Sequence, residues 1–180
     1  MDGNYYTNLN NNIRFTDDIS FKLLGLVPLF SGSGILVAVL KSEYFWSPAI
    51  YAMAAFGALI TFGLFRWELR NIQICLWLIK CGAQMESTDD PQKFGQFYQR
   101  PEGPMGLGKT EAEKLIYGVT ILTWLLLPWL VYTTAQAKIN APPPVNQTLT
   151  YTYLAFAAII GFLTLVSMAA PLNVDPKEEK

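Results

Sequence analysis

The stretch of sequence that decides the fold is LIYGVTILTWLLLPWLVYTT, residues Leu115–Thr134. Its 20 residues carry no charge, and a helix of that length rises about 30 Å, which matches the hydrocarbon core of a bilayer. Three more uncharged stretches have a similar length: Leu23–Leu40, Ser47–Phe65 and Tyr151–Ala170. The pattern predicts an all-α, polytopic membrane protein with four transmembrane helices, surrounded by a lipid bilayer.

The composition agrees with a membrane protein and excludes several classes of function. Of the 180 residues, 52% are hydrophobic and 15% are charged, the net charge is −1, and histidine is absent. The lack of histidine excludes Ser-His and Cys-His catalysis and His-ligated metal or haem. A chain with so little net charge also lacks the basic surface of a nucleic-acid-binding protein. We therefore expect no cofactor, no metal and no nucleic-acid partner.

The distribution of Lys and Arg predicts the orientation in the membrane. Eleven of these residues lie in the two tails and the middle segment, and two lie in the other loops. Because positive charge stays in the cytoplasm, both termini and the middle segment are predicted to be cytoplasmic, in a plasma or inner membrane. The predicted sections are a polar tail (1–21), a first transmembrane hairpin (22–65), a cytoplasmic segment (66–114), a second hairpin (115–170) and a C-terminal tail (171–180). Aromatic residues predicted at the outer membrane edge include Trp129, Tyr132, Tyr151 and Tyr153.

The second helix is predicted to continue past the membrane as an amphipathic helix, from Ser47 to Glu86, because no proline interrupts it. A partner or a second copy of the chain is expected on its apolar face, which consists of Leu69, Ile72, Leu76 and Ile79. Lipid headgroups are expected at Arg66, Arg70, Lys80 and Lys109. Two alternatives stay open: the helix lies in the membrane interface, or it packs against the chain's own loop. For Glu68, an exposed ion pair with a neighbouring arginine is expected.

Small and hydroxyl-bearing residues are spaced along three predicted spans so that helices could pack closely there. They are Ser31, Gly32, Ser33, Gly34, Ala54, Ala58, Thr61, Ala157, Gly161 and Thr164. Packing inside one four-helix bundle is one interpretation, and the lining of a pore in an oligomer is the other. In the third span, Pro128 has no N–H to give to the carbonyl of Trp124 and should bend the helix.

Residues 103–110, GPMGLGKT, match the nucleotide-binding pattern G-x-x-x-x-G-K-[ST]. No buried strand precedes the run, and the segment is too short for the α/β sheet that such a loop needs. Thr110 and Glu113 instead fit a capping box at a helix start. We therefore expect a chance match and no nucleotide binding.

These observations predict a non-enzymatic membrane scaffold or accessory subunit that presents residues 66–114 to a partner. The expected partner is another membrane protein or a second copy of the chain. The alternative is a homo-oligomeric pore for small ions. Ion-coupled transport is not expected of it, because the spans carry none of the charged residues that proton and ion relays use.

Overall fold

The computed structural model describes residues 3–41, 48–89, 109–138 and 146–170. Helices account for all of the regular secondary structure in these ranges, which confirms the all-α prediction. The helices are α1 (Gly3–Leu40), α2 (Ala49–Asp89), α3 (Lys109–Lys138) and α4 (Gln147–Ala169).

Three stretches of these helices are long and apolar enough to cross a membrane. They are Ala49–Gln84, Thr110–Ala137 and Gln147–Ala169, which overlap the second, third and fourth predicted spans. In α1, the described apolar stretch is shorter and covers Ser31–Leu40. The chain therefore has the character of a helical membrane protein, and the first span stays a proposal.

Helices α3 and α4 both begin before the positions expected from the sequence. Helix α3 begins at Lys109, one residue before the predicted cap, so Thr110 lies within its first turn. Helix α4 is capped by Asn146, whose side-chain oxygen accepts a hydrogen bond from the backbone N–H of Leu149 at 3.2 Å. Asparagine is among the best N-cap residues because it satisfies an otherwise unpaired amide of the first turn.

The contacts divide the chain into two compact units. The larger unit comprises Leu24–Arg66 and Glu113–Ala170. The smaller unit takes its described residues from Met1–Leu23 and Trp67–Ala112.

The core of the larger unit draws on all four helices. Its buried members are Ala38 from α1, Ile50 and Ala54 from α2, Leu127 and Val131 from α3, and Tyr153 from α4. Between α2 and α3 the approach is close, because a methyl group at Gly57 would lie 2.6 Å from Cε3 of the Trp124 ring. Glycine at this position therefore lets the indole lie directly against the α2 backbone.

Polar contacts also join α4 to its neighbours in the larger unit. The Lys114 ammonium at the start of α3 donates to the carbonyl oxygen of Met168 near the end of α4, at 3.0 Å. Arg66 on α2 donates to the hydroxyl of Ser167 at 3.3 Å. Each bond lies at the end of α4 where its last carbonyls have no partner within the helix, and a cation there is favourable.

The smaller unit contains a second apolar cluster. Leu9 and Ile13 of α1 are buried with Leu78 of α2, and the partly buried side chains that pack against them are Cys75, Trp77, Ile79 and Ala83. The predicted polar tail is thus helical from Gly3 onward and packs on α2 within this unit. The alternative left open for the α2 extension was packing against the chain's own loop, whereas the contacts described here are with α1.

Candidate functional site

A break in the backbone hydrogen bonds of α3 is repaired by a side chain from α4. Pro128 lies inside α3 and cannot donate to the carbonyl of Trp124 one turn earlier. The phenolic hydroxyl of Tyr153 shares its single proton between that carbonyl oxygen, at 3.3 Å, and the carbonyl oxygen of Leu125, at 3.0 Å. Because a backbone carbonyl in the hydrocarbon region finds no water, a donor from a neighbouring helix takes the place of the missing amide.

Beside this repaired break lies a groove in the larger unit with a volume of about 650 Å³. Its described lining residues are Tyr51, Leu125, Leu126, Pro128, Trp129, Tyr132, Thr150, Tyr153 and Leu154. Several of them are exposed, such as Trp129 and Leu154, so the groove opens to the surface of the unit. Small-molecule sites have this character: concave, mostly apolar, and provided with a few polar groups.

A pair of hydroxyl groups supplies the polar part of the groove. Tyr51 Oη and Thr150 Oγ1 lie 3.2 Å apart. Thr150 has one hydroxyl proton, which it donates to the carbonyl oxygen of Asn146 at 3.0 Å. Tyr51 is therefore the donor within the pair. The rings of Tyr51 and Tyr153 also meet edge to face, with centroids 5.2 Å apart.

Tyr153, one of the aromatic residues expected at the outer membrane edge, is 8% exposed and belongs to the core of the larger unit. Tyr151 and Trp129, from the same predicted group, are exposed. Unlike them, Tyr153 has its hydroxyl inside the unit, where it donates to the backbone of α3 beside Pro128.

The small residues singled out from the sequence lie in different surroundings. Ser31, Ala54, Ala58, Thr61 and Thr164 are buried, Ala157 and Gly161 are half-buried, and Gly32, Ser33 and Gly34 are exposed. The hydroxyls of Thr61 and Thr164 donate to carbonyls of their own helices, those of Gly57 and Ile160, at 2.8 Å each. Two of the hydroxyls expected to line a pore thus already have a partner in their own helix.

The apolar face expected to meet a partner is covered to different degrees. Leu69 and Ile72 are buried, whereas Leu76 and Ile79 are half-buried. The exposed side chains on this part of α2 instead include Trp67, Arg70 and Ile74, at spacings of three and four residues. Residues at these spacings share one side of a helix, so they form a continuous surface, called here the Trp67 face.

Among the residues expected at lipid headgroups, Arg66, Arg70 and Lys80 are exposed, and Lys109 is the first residue of α3. The exposed ion pair expected for Glu68 is wrong. Glu68 is 1% exposed, and within the described part of the chain neither carboxylate oxygen has a hydrogen-bond partner. Arg66 contacts Ser167 instead.

The nucleotide-like run falls mostly outside the described residues, which resume at Lys109. Sequence reasoning found the break at Pro128 but not the groove beside it. A signal was present: a tyrosine on a neighbouring span can supply the donor that a proline removes, and α4 carries Tyr151 and Tyr153. The packing of α3 on α4 determines which of the two tyrosines points inward, and the sequence of one helix does not show how the two helices pack.

A comparison of the chain with protein-family models, with curated proteins and with solved structures found no match.

Proposed function

We propose that the chain is a non-enzymatic integral membrane protein with four spans that acts as a scaffold or accessory subunit. In this proposal residues 66–114 meet another membrane protein, and both termini lie in the cytoplasm. The observation that carries it is the Trp67 face, which exposes apolar and cationic side chains together.

The first span is supported by the described part of α1. Leu36, Val37 and Leu40 are each more than half exposed, while Ala38 is buried in the core of the larger unit. A helix with one face in a protein core and bulky apolar side chains on another suits lipid contact. The helix also extends well past Leu23 toward the N-terminus, so its length does not limit a crossing.

The Trp67 face has the composition of a protein-binding surface. Trp67 is 52% exposed and Ile74 is 38% exposed, with Arg70 between them. Tryptophan and arginine are the residues most enriched among those that dominate binding energy at protein interfaces. An exposed tryptophan of this kind contributes about 2 kcal/mol or more when it becomes buried in a partner. The partner we propose is therefore a protein that covers Trp67.

Crosslinking in native membranes tests this proposal. Ile74→Cys is placed in a chain with Cys75→Ser and Cys81→Ser, so that a photoactivatable thiol reagent reports from the Trp67 face alone. We expect an adduct whose mass is not a multiple of the chain's own mass, and we expect Trp67→Ala to weaken its formation about 30-fold. The matched control is Phe56→Cys, since Phe56 is exposed and lies within the predicted second span, Ser47–Phe65, whereas Ile74 lies beyond it.

Each other outcome of this experiment counts against the scaffold. A ladder of self-adducts would favour the homo-oligomer and, if accompanied by ion flux in vesicles, the pore. Lipid adducts alone, equal for positions 74 and 56, would mean that the Trp67 face lies in the membrane interface.

A further inference from the structure

We propose that a second groove of the larger unit, called here the α3–α4 groove, binds an anionic phospholipid. One acyl chain would lie in the groove, and the phosphate would accept hydrogen bonds from the ammonium group of Lys114 at its end. This proposal rests on the larger unit alone and is independent of the Trp67 face.

The α3–α4 groove has a length and a rim that suit an acyl chain. Its volume is about 280 Å³. The lining residues of α3 run from Leu115 to Leu125, which is about 15 Å along the helix axis at 1.5 Å per residue. The rim consists of exposed apolar side chains: Leu115, Val119, Leu122 and Leu165. Because these residues belong to two candidate spans, an acyl chain can enter the groove from the surrounding lipid.

Two glycines shape the floor of the groove. At Gly161 of α4, an added methyl group would meet no atom within 4 Å, so the space above the backbone is open. At Gly118 of α3, an added methyl group would lie 2.9 Å from the sulfur of Met168, so that side chain fills the corresponding space and bounds the groove. Among the described lining residues, Thr164 has a hydroxyl group, which donates to the carbonyl of Ile160 at 2.8 Å. The lining therefore offers apolar surface and suits a hydrocarbon chain.

A lysine lies at the end of the groove that Leu115 and Met168 form. The ammonium group of Lys114 donates to the carbonyl oxygen of Met168 at 3.0 Å. An ammonium group has three N–H donors, so two remain for other acceptors. In the part of the chain that the structure describes, Lys114 forms no ion pair. A phosphate oxygen accepts from such a group in a charge-assisted hydrogen bond, which is shorter and stronger than a neutral one.

A second cation of the larger unit favours an anionic lipid over a zwitterionic one. Arg66 donates to the hydroxyl of Ser167, and Lys114 contacts the next residue, Met168, so both cations lie at the last turn of α4. Arg66 is exposed and also forms no ion pair among the described residues. A zwitterionic headgroup carries its own ammonium group, which these cations repel. We therefore expect phosphatidylglycerol to bind more tightly than phosphatidylcholine.

Photocrosslinking with a lipid probe tests the proposal. The full-length protein is placed in phosphatidylcholine nanodiscs with a trace of phosphatidylglycerol that carries a diazirine on one acyl chain. Peptide mass spectrometry then locates the adducts, which we expect at residues 115–125 of α3 and 161–168 of α4. Increasing amounts of unlabelled phosphatidylglycerol should suppress these adducts. Diacylglycerol with the same chains, which lacks the phosphate, should compete about tenfold less well, because it loses one charge-assisted hydrogen bond.

Charge variants test the part played by Lys114. Lys114→Gln removes the charge and keeps a hydrogen-bond donor, so it should weaken phosphatidylglycerol binding about tenfold and leave diacylglycerol binding unchanged. Lys22→Gln is the matched control, because Lys22 already forms an ion pair with Asp18. Glu111→Gln removes an exposed negative charge three residues before Lys114 on the same helix, so it should tighten phosphatidylglycerol binding.

A glycine variant tests the part played by the groove. Gly161→Leu should fill the groove without disturbing the packing, because the space above this glycine is open. It should reduce the groove adducts of both phosphatidylglycerol and diacylglycerol to background, which distinguishes a blocked chain site from a lost headgroup contact. Gly63→Leu is the matched control, because Gly63 also has open space around it and lies on α2, outside the groove lining.

Three results would overturn the proposal. One is labelling that is spread evenly over the exposed faces of the helices and does not saturate, which would indicate ordinary annular lipid. Another is equal competition by phosphatidylglycerol and diacylglycerol in the unaltered protein, which would mean that the phosphate is not recognised. The third is suppression of the adducts by inorganic phosphate at millimolar concentration, which would indicate an ion site and not a lipid site.

Discussion

Substitution of Tyr153 by Phe tests how the break at Pro128 is tolerated. The change removes one hydroxyl and leaves the ring that packs against Tyr51 and Phe156. The carbonyl of Trp124 then has neither an amide from position 128 nor the tyrosine as a donor. Leaving a buried acceptor without a partner costs about 1–3 kcal/mol. Measured hydrogen bonds between membrane helices average about 0.6 kcal/mol and reach about 1.7 kcal/mol. We therefore expect the free energy of unfolding to fall by about 1–2 kcal/mol.

A double-mutant cycle with Pro128→Ala shows whether this carbonyl is the cause. Alanine restores the N–H at position 128, so the Trp124 carbonyl regains its partner within the helix. In that background Tyr153→Phe should cost less than about 0.5 kcal/mol, because the tyrosine is no longer the carbonyl's main donor. The assay is equilibrium unfolding of the purified protein in mixed micelles with increasing denaturing detergent, followed by far-ultraviolet circular dichroism.

The matched control is Tyr151→Phe, which removes a hydroxyl from an exposed ring two residues away on the same helix. It should change the free energy of unfolding by less than about 0.5 kcal/mol. The reasoning is refuted if Tyr153→Phe costs no more than this control. It is also refuted if Tyr153→Phe costs the same with Pro128 and with alanine at position 128, since the loss would then have nothing to do with the missing amide.

Three further predictions follow from the packing and the charge pattern. Gly57→Ala should destabilise the protein by about 1–3 kcal/mol, because the added methyl group overlaps the Trp124 ring, whereas Gly63→Ala, with open space around it, should be tolerated in the same unfolding assay. Glu68→Leu should raise the free energy of unfolding by about 1–3 kcal/mol, because it replaces two buried carboxylate oxygens that have no partner in the described structure; a loss of stability would show that the acid is needed there. Reporters fused to both termini should be cytoplasmic and one inserted near Pro143 should be external, and an external C-terminus would contradict the predicted topology.

The helical class and most of the span positions could be predicted because charge is absent over long stretches. That signal is local in sequence, because every unsatisfied polar group in the hydrocarbon region of a bilayer costs free energy. The continuation of α2 past Phe65 was also predictable, since nothing in residues 66–86 stops a helix there, and α2 runs to Asp89. Long helices and spans such as these depend on the local amino-acid composition, which can be read from the sequence alone.

The helical N-terminal segment could not be predicted in the same way. The run Asn8-Leu9-Asn10-Asn11-Asn12 contains four asparagines, which have a low intrinsic preference for helix. Tertiary packing compensates for this low helix preference, because Leu9 and Ile13, four residues apart on α1, are buried against Leu78. The spacing was visible, but its partner lies on another helix. For the same reason, the face of α2 expected to meet a partner included Leu69 and Ile72, which are buried in this chain.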